Sequence, residues 1–124
     1  MDITPMIPAG RQVIESYGGG RFRVSGKLIE GSVIVFPTRT ILWPVATPEA
    51  IDADTLEPVF GEAGLELLLI GCGNRAFTLP IVLRQALRAR GIASDTMGTG
   101  AAARTYNVLM AEDRRVAAAL IAIA

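Results

Sequence analysis

From Arg11 to Val45 the chain reads "RQVIESYGGGRFRVSGKLIEGSVIVFPTRTILWPV", with apolar and polar residues alternating in places. A period of two, carried by β-branched and aromatic residues, marks strands with one face buried. Gly18-Gly19-Gly20, Gly26, Gly31 and Pro37 cut the run. It therefore predicts four or five short strands joined by tight turns, with Val33, Val35, Ile41 and Trp43 pointing to a core. The pattern then changes. Asp52 or Asp54 is placed to cap a short helix near Thr55–Phe60, with Glu57 three residues after Asp54 as in a capping box. Capping and the helix dipole account for these three carboxylates better than acid–base chemistry or a metal does. Leu65–Ile70 is a continuous apolar run, the signature of a strand buried on both faces of a parallel sheet.

Beyond that run, helices and strands alternate. Thr78 is expected to cap a helix over 79–90 with Pro80 in its first turn. Leu79, Val82, Leu83, Ala86 and Leu87 would form its inner face, with Arg84 and Arg88 one turn apart on the other side and Gly91 at its end. Ile92–Met97 reads as the next strand. Gly98-Thr99-Gly100 leads into a helix from Ala101 to Glu112 with Ala101, Thr105, Val108 and Leu109 inward. Arg114–Ile123 reads as a final strand. Strand 65–70, helix 79–90 and strand 92–97 make a βαβ unit, so the two strands should be parallel with a right-handed crossover. Helices and strands in this order build an α/β layered sheet. Both glycine loops then fall at its carboxyl edge, where ligands of open α/β sheets tend to sit.

Composition narrows the chemistry. The 124 residues suffice for one domain with a real core, and 51% hydrophobic against 19% charged residues describes a globular chain. Twelve basic residues balance twelve acidic ones, but residues 1–66 are net acidic and 67–124 net basic. The cations are not clustered with aromatics, so nucleic acid is not an expected partner. There is no histidine, which removes Ser-His-Asp and Cys-His catalysis and His-containing zinc sites. The one cysteine, Cys72, cannot form a disulfide within the chain or a thiolate cluster, so no metal site is expected. "MDITPMIPAG" has no basic n-region and no continuous apolar core of a signal peptide, and no apolar run approaches a transmembrane length. A cytoplasmic setting is the expectation.

Two segments match the dinucleotide pattern G-x-G-x-x-[GA]: Gly71-Cys72-Gly73-Asn74-Arg75-Ala76 and Gly98-Thr99-Gly100-Ala101-Ala102-Ala103. At this glycine and alanine content roughly 0.3 matches arise by chance, so the pattern alone is weak. A dinucleotide site needs the helix to begin within the motif, its N-terminus facing the pyrophosphate. Pro80 delays the first helix beyond that. Asp95, 24 residues after Gly71, is the only acid near the position of a ribose-binding carboxylate. The second loop suits an anion better: Thr99 would cap the helix, the amides of Ala101–Ala103 would face the carboxyl edge, and Arg104 and Asn107 would share a face. The alternative is that Arg104 pairs with a structural carboxylate or backbone carbonyl. Cys72 has no base beside it in sequence, and it reads as a small residue packed in a tight loop rather than a nucleophile activated by Arg75. Trp43 and Tyr106 are either core or part of an exposed patch.

The runs "GRFRVSGKLIEGSVIVFP", "LLLIGCGNRAFTLP", "LRQALRARGI" and "DTMGTGAAARTYNVLMAEDRRVAAALIAI" together resemble the domain of unknown function 498 family, from about Tyr17 to Ile123. That family includes a mitochondrial assembly factor of respiratory complex I and a vertebrate adipogenesis-associated protein. The resemblance implies a single three-layer α/β domain with a mixed central sheet and a β-rich N-terminal appendage, here residues 1–124 with 1–10 as an extension. It implies no established enzyme activity, no cofactor and no catalytic residues. Family members often read M-D-T where Met97-Gly98-Thr99 stands, and often carry cysteine at the position of Ala103. Both departures argue against acid–base or thiol chemistry there. The expectation is a bacterial, non-enzymatic interaction or assembly protein with a protein partner. Its surface would be a carboxyl-edge cleft formed by Trp43, Gly71, Cys72, Gly73, Asn74, Arg75, Thr99, Gly100, Arg104, Tyr106 and Asn107. A small-anion or nucleotide-binding domain, or an enzyme using the same cleft, is the alternative. Unpaired strand edges in the appendage are compatible with a homodimer.

Overall fold

The computed structural model describes residues 9–124; the extension expected at 1–10 lies, up to residue 8, outside them. The first three strands, β1 (Ile14–Gly18), β2 (Arg21–Val24) and β3 (Lys27–Glu30), form an antiparallel meander. Both hairpins use two-residue loops, Gly19-Gly20 and Ser25-Gly26. All four residues have positive φ (63°, 76°, 46° and 83°), the turn that matches strand twist and that glycine makes cheap. This meander is the β-rich appendage.

The main sheet has five strands in the order β5 (Thr40–Leu42), β4 (Val33–Val35), β8 (Val116–Leu120), β6 (Leu67–Gly71), β7 (Ala93–Met97). It is mixed: β5, β4 and β8 are antiparallel neighbours, whereas β8, β6 and β7 run parallel. The βαβ unit is present as β6, α2 (Ile81–Ala89) and β7. The final segment is a strand at the sheet's centre, buried at every residue.

Two cores lie on opposite faces, and alternation sorts residues between them. Ile34, Leu68, Ile70, Ala117 and Ala119 join Trp43, Leu79, Leu83 and Leu87 under α2. Val33, Val35, Leu69, Ala118 and Leu120 join Phe22, Val24, Ala102, Tyr106 and Met110 under α3 (Thr99–Ala111) and the appendage. Helix, sheet and helix make three layers. Val33 and Val35 are core as expected, and Trp43 is core on the other face, with Ile41 packed against it.

Several local expectations are corrected. The short helix α1 is Glu57–Phe60, and Asp54 does not cap it. Asp52 Oδ1 instead accepts the Thr55 amide at 2.8 Å while Thr55 Oγ1 accepts the Asp52 amide at 2.9 Å, a closed turn before the helix. Helix α2 begins at Ile81 with Pro80 at its N-cap position and no side-chain cap, so Thr78 does not serve. Val82 is 71% exposed; Leu83 and Leu87 carry the burial, each contributing about 1.5–3 kcal/mol. The inner face of α3 is Thr99, Ala102, Ala103, Tyr106 and Met110, one position from the expected set. Val108 faces solvent. The Ala-rich helix has little contrast between its faces, so periodicity misplaced the stripe while finding the helix.

Candidate functional site

The carboxyl edge of β6 and β7 is where the two glycine loops meet. Gly71 ends β6, and a Cβ there would lie 2.8 Å from the Thr99 Cα, so the bare backbone lets the start of α3 press against the strand. Gly73 accepts the Thr99 amide at 2.9 Å and donates its own amide to Thr99 Oγ1 at 2.9 Å. Thr99 Oγ1 donates in turn to the Ile121 carbonyl at 2.7 Å. Thr99 is completely buried. Its hydroxyl ties three segments together and does not cap α3, whose N-cap position is Gly98.

The appendage crowds the place where an anion is expected. Above the first turn of α3 sits Tyr17 of the appendage: a Cβ on Gly100 would fall 2.7 Å from its hydroxyl. Arg104 donates to the same hydroxyl at 2.6 Å, so its partner within the chain is a phenol and not the expected carboxylate or backbone carbonyl. Tyr106 is fully buried, donating its hydroxyl toward the carbonyls of Gln12 at 3.0 Å and Phe36 at 3.3 Å. Burial pushes its phenol far above its ordinary value. Asn107 clamps β1 with both ends of its amide, accepting the Ile14 amide at 3.0 Å and donating to the Ile14 carbonyl at 2.7 Å. Tyr106 and Asn107 therefore hold the appendage to α3.

Cys72 is buried, its amide given to the Met97 carbonyl at 2.8 Å. Burial pushes its thiol up, only partly offset by the Met97 backbone beside the sulfur. Arg75 does not activate it. The guanidinium grips Glu49 with two hydrogen bonds of 2.8 and 2.5 Å, and this contact holds the Glu49 carboxyl below its ordinary value. Trp43 is buried and donates its indole N–H to the Thr55 carbonyl at 2.9 Å. It lines a separate surface hollow with Gly31, Ser32, Pro44, Val45, Ala46 and Ala122.

Of the expected residues, Gly73, Asn74 and Arg75 do line one cavity, of ≈ 510 Å³, together with Ala76, Phe77, Thr96, Met97 and Gly98. A second cavity of ≈ 320 Å³ lies beside α2, lined by Ile81, Arg84, Gln85, Arg88, Ile92, Ala93 and Ser94. Sequence reasoning missed Phe77 and Thr96, whose Oγ1 donates to the Phe77 carbonyl at 2.8 Å. It also missed Tyr17 and Glu49. The pairs Arg104–Tyr17 and Arg75–Glu49 are 87 and 26 residues apart, beyond any local signal. Among the described residues there is no group of three or more His, Cys, Asp or Glu side chains that could hold a metal ion, and no helix is long and apolar enough to cross a membrane.

Comparison with known proteins agrees with this architecture. A crystal structure titled as an outer membrane protein from Bartonella henselae superposes with a TM-score of 0.86 at 42% identity, covering 96% of this chain and 100% of that one. A Bordetella pertussis protein described as a Mth938-like domain superposes at 0.81 with 31% identity, over 98% of this chain and 92% of that one. An uncharacterized protein of Rhodobacter capsulatus is 36% identical over 91% of this chain and 86% of its own length. The human NADH dehydrogenase [ubiquinone] 1 alpha subcomplex assembly factor 3 is 32% identical over 87% of this chain. The match spans only 59% of that factor's length, and 63% of its zebrafish (Danio rerio) counterpart. The profile described as a protein of unknown function, DUF498/DUF598, matches residues 14–121, and the chain belongs to that family.

Proposed function

We propose that this chain is a non-enzymatic assembly factor that binds protein components of a respiratory NADH dehydrogenase while the complex is built, acting from the cytoplasm. The observation that carries this is the 32% identity with the human assembly factor across 87% of this chain. The geometry supports a binding role over chemistry. Thr99, Arg104, Tyr106 and Asn107 are engaged with the chain's own backbone and with Tyr17, and the Cys72 thiol is buried. The surface proposed for the partner is the carboxyl-edge cavity of Gly73–Phe77 and Thr96–Gly98.

The test is deletion of the gene in its native host, followed by native-gel measurement of assembled NADH dehydrogenase and pull-down with the tagged chain. Loss of the assembled complex, restored by the wild-type chain, together with recovery of its subunits, is the expected result. A deletion strain with normal assembly would overturn the proposal.

A further inference from the structure

Strand β7 ends the five-stranded sheet, and among the described residues nothing pairs with its outer side. Which groups face out follows from the inner ladder. The Ala93 amide donates to the Glu66 carbonyl, and the Met97 carbonyl accepts the Cys72 amide. Residues 93, 95 and 97 thus spend their backbone groups on β6, and alternation leaves the N–H and C=O of Ser94 and Thr96 directed outward. The two cavities described above run end to end along this strand, one lined by Ile92, Ala93 and Ser94 and the next by Thr96, Met97 and Gly98.

Charge along this edge differs by face. On the α2 side stand Arg84 and Arg88, which have no ion-pair partner among the described residues. Beside them Ile81 is 58% exposed. On the opposite face the exposed residue at the strand's centre is Asp95. A second copy of this chain fits poorly. Full antiparallel overlap of two β7 strands sets Asp95 directly against its counterpart at the closest pair spacing, and it gathers four arginines on the other face. Like charges opposed across strands are destabilising.

We infer that β7 is a strand-addition site for an extended acidic segment of another protein. The segment hydrogen-bonds to the outward groups of Ser94 and Thr96. Its carboxylates lie over Arg84 and Arg88, where guanidinium–carboxylate contacts are short and directional, and its alternate side chains, facing Asp95, are neutral or basic. This rests on the assembly reading for its biological setting and extends it by giving the chemistry of the partner.

The probe is a capped nine-residue peptide alternating Glu and Thr, with a Lys-for-Glu version as control, titrated into the isotope-labelled protein by NMR. The Glu peptide is expected to shift and protect the Ser94 and Thr96 amides and to bind at least tenfold more tightly than the Lys peptide. Ser94→Pro removes an outward donor at an edge position that tolerates proline, and it should weaken binding at least tenfold. Arg84→Glu with Arg88→Glu should reverse the peptide preference, which keeps the test intact should the proline variant not fold. Equal binding of both peptides, unmoved Ser94 and Thr96 amides, or self-association through those amides would each overturn the inference. In the deletion strain, an assembly defect rescued in full by the double arginine variant would defeat the edge site and leave the assembly reading standing. Normal assembly after deletion would defeat the assembly reading while the peptide titration still decides the edge.

Discussion

The two long helices flank the same sheet but are attached in opposite ways. Helix α3 is welded in place: Thr99, Arg104, Tyr106 and Asn107 each bond to another segment, and five of its thirteen residues are buried. Helix α2 buries only Leu83 and Leu87 of nine residues and leaves Ile81 and Val82 largely in solvent. Among the described residues, the one side-chain hydrogen bond on it runs from Arg84 Nε to the Leu79 carbonyl at 3.1 Å. The polar residues that look chemical in the sequence belong to the welded helix, where they serve the fold. The helix with plain composition leaves Ile81 and Val82 exposed and, among the described residues, Arg84 and Arg88 without an ion-pair partner.

This contrast can be broken by substitution. Tyr106→Ala should cost roughly 3–5 kcal/mol in denaturant unfolding, as large-to-small core changes do, and should loosen the appendage with it. Gly71→Ala forces a methyl to 2.8 Å from the Thr99 Cα and should cost about 1–3 kcal/mol, typical of overpacking. Asn107→Ala leaves Ile14 without its two partners. An expected loss of about 1–3 kcal/mol should be accompanied by faster amide exchange in β1–β3 than in β6 and β8. On α2, Val82→Ser should move stability by no more than about 0.5 kcal/mol, measurable in the same assay. A loss there equal to that of Asn107→Ala would erase the distinction between the helices.

The smallest effect concerns pH. Arg75 and Arg114 hold the carboxyls of Glu49 and Glu66 below their ordinary value of 4.5. A carboxyl depressed in the folded state contributes stability that is present above its unfolded value and lost as pH falls through the folded one. Both pairs are on the surface, so the contribution is modest and sensitive to salt. Acid unfolding of Glu66→Gln should be less steep below pH 4.5 than that of the unaltered chain, and an unchanged slope would remove the pair from consideration.

The sequence disclosed the strands, the βαβ unit and the position of both glycine loops because each is a local pattern of period or punctuation. Leu65–Ile70 foretold a buried strand whose observed range is Leu67–Gly71, and Arg114–Ile123 foretold β8 despite its helix-favouring alanines. The site was less legible. Whether Arg104 meets an anion or Tyr17, and whether Asn107 faces a cleft or clamps Ile14, depends on how the appendage docks, which no window of neighbouring residues encodes. The open edge of β7 was hidden for a similar reason, since strand order arises from pairing between distant segments. Of the surface now proposed, the Arg84–Arg88 spacing, Gly73–Arg75, Asp95 and Gly98 stood out beforehand, whereas Phe77, Ser94 and the outward edge of β7 did not.

The placement of β8 also bears on how the protein is made. It sits between β4 and β6, although residues 36–115 separate it from β4 and residues 72–115 from β6 in the chain. Until Val116–Leu120 emerges, β5–β4 and β6–β7 are two half-sheets, each with an apolar open edge of the sort that templates aggregation. Synthesis therefore passes through an interval in which the other four strands of the sheet exist but the sheet cannot close. A nascent chain stalled before Val116 is then a natural client for chaperones.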